Sequence, residues 1–357
     1  MSLTAEKREH IKRYILEQIY YDKKNIVSAA AGTWEISKTT VSRYIDKLIS
    51  DEIIVKNNTR KSGYALKEIF SRNFAYAPKQ FKLEEDRIFE RDIWPLLCGL
   101  PENVMKIWNY AFCEIMNNAI EHSEADRIDV LFIRNSLFTR IFIMDNGVGI
   151  FEKIKKYILQ IEKTEITIED AMAILFVGKM TTNKENHSGE GIFFTSRTLD
   201  EFNIFSSNRI FVHDAYDKNE SANIAEFQDS YEKERMLNRA GTFVTMELWN
   251  DTKRELREVF DMFSSSEKGF YKTQIPIKNV IPSGFPVSRS QARRLCSGFD
   301  KFEEIELDFN GVDDIAQAFA HEIFIVFKNN HPDIKIRIKN ANANVKGMIE
   351  RVQNTAR

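Results

Sequence analysis

Glu114-Ile115-Met116-Asn117-Asn118-Ala119-Ile120-Glu121-His122 closes a helical pattern opened by Pro101 and Glu102. Val104, Trp108, Ala111, Ile115 and Ala119, with Phe112 beside them, recur at steps of three and four, the spacing of a buried stripe. Glu114, Asn118 and His122 are four apart and stack a carboxylate, a carboxamide and an imidazole on a second face, with Glu121 one turn on from Asn118. Such a face needs water, a metal ion or a polar ligand. Alone it reads as a solvated helix surface, and the residues that decide lie downstream.

Arg127 to Arg134 and Leu137 to Met144 are β-rich runs separated by Asn135 and Ser136, which predicts adjacent antiparallel strands. At the end of the second sits Asp145-Asn146-Gly147-Val148-Gly149-Ile150, a carboxylate followed by two glycines that let the backbone turn tightly. A hydrophobic stretch from Phe151 to Phe176 reads as two helices. Gly178-Lys179 to Gly189-Glu190-Gly191-Ile192 is polar and glycine-containing, and it opens a helix over about Ile192 to Glu201. Free N–H groups at such a helix start favour a phosphate. Lys179 and Lys184 either meet phosphate charge or solvate the loop. Gly241-Thr242-Phe243 starts a last strand.

These four motifs, in this order and in these contexts, resemble over about 150 residues the ATPases and kinases that group DNA gyrase, Hsp90, sensor histidine kinases and MutL, the GHKL family. The resemblance implies a two-layer α/β sandwich of the Bergerat type with an ATP pocket over residues 101–253. In it the Asn118 carboxamide coordinates Mg²⁺ that bridges the phosphates. Asp145 accepts from the adenine amino group with help from Thr242, and Gly147 and Gly149 let the base approach. Gly189 and Gly191, with Lys179 and Ser188 on the same stretch, wrap the phosphates in a lid. Glu114 stands where the family keeps its catalytic carboxylate. The third lid glycine is replaced by Phe193, and Glu190 adds negative charge there, a departure that bears on turnover more than on binding.

Before this unit, residues 1–75 read as three helices and a hairpin. Ile11, Ile15 and Ile19 mark the first, Ala29 to Ala31 the second, and Thr40 to Ser50 the third, capped by Ser37. Ile53 to Val55 and Tyr64 to Leu66 flank a basic loop. The pattern resembles the winged helix-turn-helix family. That implies Lys38, Thr39, Ser42 and Arg43 in the major groove of DNA, with Arg60 and Lys61 on phosphates. The alternative is a module for dimerisation or protein contacts. Residues 1–80 carry 15 Lys and Arg against 9 Asp and Glu, which supplies the attraction that DNA binding requires. Residues 76–100 read as a linker.

After a second linker, 254–268, residues 269–352 alternate strand and helix: Gln274 to Ile281, Ile305 to Phe309, a helix over Val312 to Val326, a strand over Ile334 to Ile338 and a helix over Asn344 to Val352. Ile305-Glu306-Leu307-Asp308-Phe309-Asn310-Gly311-Val312 followed by Ile315-Ala316-Gln317-Ala318-Phe319-Ala320 resembles the STAS fold of anti-sigma factor antagonists, in its DUF4325-like variant. In that family a phospho-accepting serine falls where Gln317 or Ala318 stands, so self-phosphorylation there is not expected. The fold class is α+β multidomain.

The chain has 357 residues, 43% of them hydrophobic, and a formal net charge of −2, so a globular multidomain protein is expected rather than a disordered one. Cys98, Cys113 and Cys296 are odd in number and lack metal-ligand spacing, which argues against a disulfide framework. Without a bilayer-length apolar run, and with charges at Glu6 to Glu9, the expectation is a cytoplasmic protein with no membrane partner. The function expected is an ATP- and Mg²⁺-binding regulator whose contact with DNA or a protein partner follows nucleotide state. Homodimerisation is left open. The alternatives are a serine/threonine protein kinase resembling anti-sigma factors and acting on a separate partner, a DNA clamp, and a nucleotide-binding scaffold without turnover.

Overall fold

A computed structural model describes residues 4–179, 189–214, 240–281 and 285–355. Three helices open the chain, α1 (Ala5–Tyr20), α2 (Ile26–Trp34) and α3 (Lys38–Ser50). The hydroxyls of Thr4 and Ser37 accept from the N–H groups of Lys7 and Thr40, so α1 and α3 each start on a side-chain cap. Ile11, Ile15 and Ile19 meet Val41, Ile45 and Leu48 in a core where none exceeds 3% exposure. β1 (Ile54–Lys56) and β2 (Tyr64–Leu66) pair antiparallel around the basic loop.

The central layer is a six-stranded sheet built from β3 (Phe70–Tyr76), β4 (Ile128–Arg134), β5 (Phe138–Asp145), β6 (Glu201–Ser206), β7 (Arg209–Asp214) and β8 (Thr242–Trp249). Its order is β3-β4-β5-β8-β6-β7, with every neighbouring pair antiparallel. Alternation sorts the two faces. Ile141, Ile143, Val244, Met246 and Leu248 join one core with α4 (Glu102–Glu121), α5 (Ile150–Glu162), α6 (Ile168–Val177) and α7 (Gly191–Thr198). Phe138 and Trp249, on the other face, join the core of the N-terminal helices. Because β8 lies between β5 and β6, the start of β8 sits against the end of β5, with Phe243 opposite Met144.

The C-terminal unit is a three-stranded parallel sheet in the order β9-β10-β11, formed by β9 (Lys272–Pro276), β10 (Glu304–Asp308) and β11 (Lys335–Lys339). A helix α8 (Leu256–Phe263) leads into it, and α9 (Arg289–Cys296), α10 (Gln317–His321) and α11 (Ala343–Thr355) pack about it.

Several boundaries differ from the sequence expectation. The strand expected over Gln274 to Ile281 is β9 followed by a helical turn, Ile277–Val280, whose two end residues are both buried at a helical spacing of three behind Pro276. The helix expected from Val312 begins at Gln317 and widens to π geometry over Glu322–Phe327. There Glu322, Ile323, Phe324 and Phe327 are all buried, a wider arc than one α-helical stripe covers. The stretches read as linkers are structured. In them Ile88, Phe89, Ile93 and Leu97 enter the core of the central sheet, and α8 packs on α4 and α7, while Phe70–Tyr76, read as the end of the N-terminal unit, is an edge strand of that sheet. Residues 216–239, a long charged stretch of the sequence, lie outside the described residues. Among the described residues no helix is long and apolar enough to cross a membrane.

Candidate functional site

A cavity of about 360 Å³ opens between α4, the β5 and β8 ends, α5 and the start of α7. Glu114, Asn118 and His122 line it from α4, Asp145 from β5, Gly149 and Lys153 from the α5 start, Gly189, Glu190 and Gly191 from the α7 start, and Thr242 from β8. The steps of four on α4 work as read, because one helical face turns all three polar groups the same way. The adjoining stripe, Val104, Trp108, Ala111 and Ile115, is at most 3% exposed and fixes that orientation, and Ile115 also reaches the cavity lining.

Asp145 ends β5 at 7% exposure. Its Oδ1 accepts from the N–H of Gly147 (2.8 Å) and of Thr242 (3.2 Å). Burial raises its pKa above the ordinary carboxylate value, and these N–H donors oppose the rise. The Thr242 hydroxyl accepts from Ile150 N–H (3.0 Å), which joins β8 to the first turn of α5. Two glycines mark close approaches. A β-carbon at Gly147 would overlap the Ser123 carbonyl, and one at Gly191 would overlap the Glu114 carboxylate. Glu114 therefore lies directly against the start of α7.

The lining is rich in acid. Burial raises the Glu190 pKa, with Lys179 pulling the other way, and Tyr110 is raised by burial and then by the charges of Glu114 and Glu190. Lys153, one turn into α5, is the lining cation and is ion-paired with Glu124. Among the described residues there is no cluster of three or more His, Cys, Asp or Glu able to hold a metal by themselves. The Asn118 carboxamide and the Glu114 carboxylate are hard oxygen donors of the kind Mg²⁺ takes while filling its shell with water and ligand oxygens. The residue types fit a cation that arrives with an anionic ligand.

Of the residues singled out from the sequence, Glu114, Asn118, Asp145, Gly149, Gly189, Gly191 and Thr242 come together on this one cavity. Gly147 stands behind Asp145 rather than in the lining. Lys179 turns away, its ammonium donating to the Lys301 carbonyl (2.9 Å) over the rings of Phe270 and Phe302. Ser188 and Lys184 lie outside the described residues. Tyr110, Lys153 and Phe260 line the cavity without having been singled out. Tyr110 was legible, one turn before Glu114 on the same face, and Lys153 sits one turn past Gly149. Phe260 gave no signal, because it comes from a stretch that looked like a connector.

On the N-terminal unit, Lys38, Thr39, Ser42 and Arg43 are exposed on α3, and Lys61 is exposed on the hairpin loop. Arg60 is instead half-buried, donating to the carbonyls of Ile19 (3.1 Å) and Tyr20 (3.2 Å) and to Asp22 Oδ1 (3.3 Å).

No curated protein matches the chain. Residues 291–346, which run from α9 into α11 and include β10 and β11, match the STAS-like domain of unknown function DUF4325, so this part of the C-terminal unit is a STAS-like domain.

Proposed function

We propose that the cavity binds Mg-ATP in the manner of the GHKL family, and that the N-terminal unit is a winged helix that binds DNA. The chain would then be a cytoplasmic regulator whose DNA or partner binding follows nucleotide state. The observation that carries this reading is the convergence of four stretches far apart in sequence, Glu114 with Asn118, Asp145, Gly189 to Gly191, and Thr242, on one cavity.

Each role has a physical basis. Asp145, fixed by two backbone N–H groups, is a preset acceptor for an exocyclic amine in the cavity floor. Asn118 supplies one oxygen ligand to Mg²⁺, which when bound would neutralise phosphate charge that Glu114 and Glu190 otherwise repel. The start of α7 offers N–H groups to an anion. Glu114, one turn from Asn118, is placed to orient or deprotonate a water, and this favours a second reading in which the same site hydrolyses or transfers the γ-phosphoryl group. The exposed polar and basic front of α3 supports the DNA reading.

Calorimetry with Mg-ATP tests the first claim. The wild type should bind, Asn118→Ala and Asp145→Ala should not, and phosphate release that Glu114→Gln abolishes would make the protein an enzyme. A wild type that binds no Mg-ATP overturns the reading.

A further inference from the structure

Consecutive residues of β9, the first strand of the C-terminal sheet, hold two of the helices that border the cavity, α6 and α7. The Thr273 hydroxyl, fully buried, donates to the Val177 carbonyl at the end of α6 (2.7 Å). The Gln274 carbonyl accepts from the Arg197 guanidinium near the end of α7 (2.8 Å). Leu175 of α6, and Gly189 to Ile192 with Phe194 at the start of α7, form the cavity rim. Beyond α6, Lys179 and Lys301 exchange ammonium-to-carbonyl bonds at 2.9 and 3.3 Å. Phe270 packs on Phe193 (4.5 Å between centroids) and on Phe194 (5.0 Å).

Resting on the nucleotide reading above, we propose that Thr273 and Arg197 are positioning residues of the nucleotide site, through which the C-terminal sheet sets the cavity rim. Neither touches the cavity. Arg197 acts along α7: the helix is tethered at its far end to Gln274, and its first residue, Gly191, abuts the Glu114 carboxylate with no room for a β-carbon. A displacement of α7 on β9 moves the rim against Glu114. The guanidinium stacks 3.5 Å from the Phe193 ring centroid and donates to the Phe193 carbonyl (3.1 Å). Burial, with no carboxylate acting on it among the described residues, pulls its pKa down to about 9.

The test uses the full chain, with Mg-ATP and adenosine affinities measured by calorimetry and amide hydrogen exchange followed over residues 189–198 without nucleotide. Thr273→Val and Arg197→Met should each weaken Mg-ATP about five- to tenfold, the scale of one buried hydrogen bond. Adenosine, held at the Asp145 end, should change less than about twofold, within the range of a distant substitution. Exchange over 189–198 should quicken in both variants, and Thr273→Ser, which keeps the hydroxyl, should restore wild-type values. If Arg197→Met does not fold, the Thr273 pair decides alone. Unchanged Mg-ATP affinity and unchanged exchange in Thr273→Val overturn the proposal. A wild type that binds neither ligand overturns the nucleotide reading instead, and the exchange rates then decide whether β9 holds the rim.

Discussion

Gly191 and Glu114 share one small volume, and only hydrogen on the Cα leaves room for the carboxylate. Gly191→Ala should therefore displace either the start of α7 or the Glu114 side chain, at a cost of about 1–3 kcal/mol for local overpacking. The measurable signature is Mg-ATP affinity falling at least about tenfold, equivalent to 1.4 kcal/mol, while far-UV circular dichroism stays native. Normal binding by this variant would mean that the α7 start is not a ligand surface. Most of the site could be read at this scale in advance. Glu114, Asn118 and His122 are separated by helical steps, and Asp145 ends a strand just before two glycines, so their spacing already encodes direction. Phe260 and Thr273 could not be read, because nothing in their local sequence says which distant helix they meet.

Among the elements, the hairpin of the N-terminal unit is held more firmly than a solvated basic loop. Asp22, at a φ of 50° just after α1, accepts from the N–H groups of Lys61 (3.2 Å) and Ser62 (2.9 Å) and from Arg60. Burial works to raise its pKa, but the bonds from Ser62 and Lys61 and the charge of Arg60 bring it down to about 2. The folded value lies below the ordinary 3.8. The stabilisation is thus present above pH 3.8 and disappears as pH falls toward 2. Asp22→Asn should destabilise the protein by about 1 kcal/mol at neutral pH. Thermal melts at several pH values check this, since the gap from wild type should close on acidification through that window. Helices and strands with a clean period were legible at this scale. The turn Ile277–Val280 was not, because Ile275 and Ile277 continue the alternation of a strand, nor was the π-widened stretch Glu322–Phe327, because the apolar run Ile323 to Phe327 carries no single period.

Across the whole molecule, the N-terminal unit is docked on the sheet face opposite the cavity. The Tyr20 hydroxyl donates to Glu247 Oε1 (2.7 Å), Arg140 pairs with the same carboxylate, and Arg13 stacks over Trp249 (4.1 Å) while bonding Asp251 (2.5 Å). β5 carries Arg140 to this face and Asp145 to the cavity, and β8 does the same with Glu247 and Thr242. Burial pushes the Glu247 pKa up to about 7 against the pull of Arg140. The folded form then holds this proton more tightly than the unfolded chain, whose ordinary value is 4.5, so the contribution of Glu247 to stability falls as pH rises from 4.5 to about 7. Glu247→Gln should flatten that decline in Tm against pH, even though leaving Arg140 without its carboxylate lowers every Tm. An undiminished slope in the variant would mean that another group titrates there. No local pattern announced this docking, because Phe138 and Trp249 read as ordinary strand residues until their face is known.

The placement of β8 also governs how the chain matures during synthesis. Asp145 waits 97 residues for the Thr242 amide that helps fix its carboxylate, and β5 and β6 pair with β8 rather than with each other. A nascent chain that has emerged only as far as β7 therefore holds two sheet fragments with unpaired edges and no finished cavity floor. Ligand capture cannot guide those first steps, and until β8 is inserted the exposed edges are open to pairing with other chains.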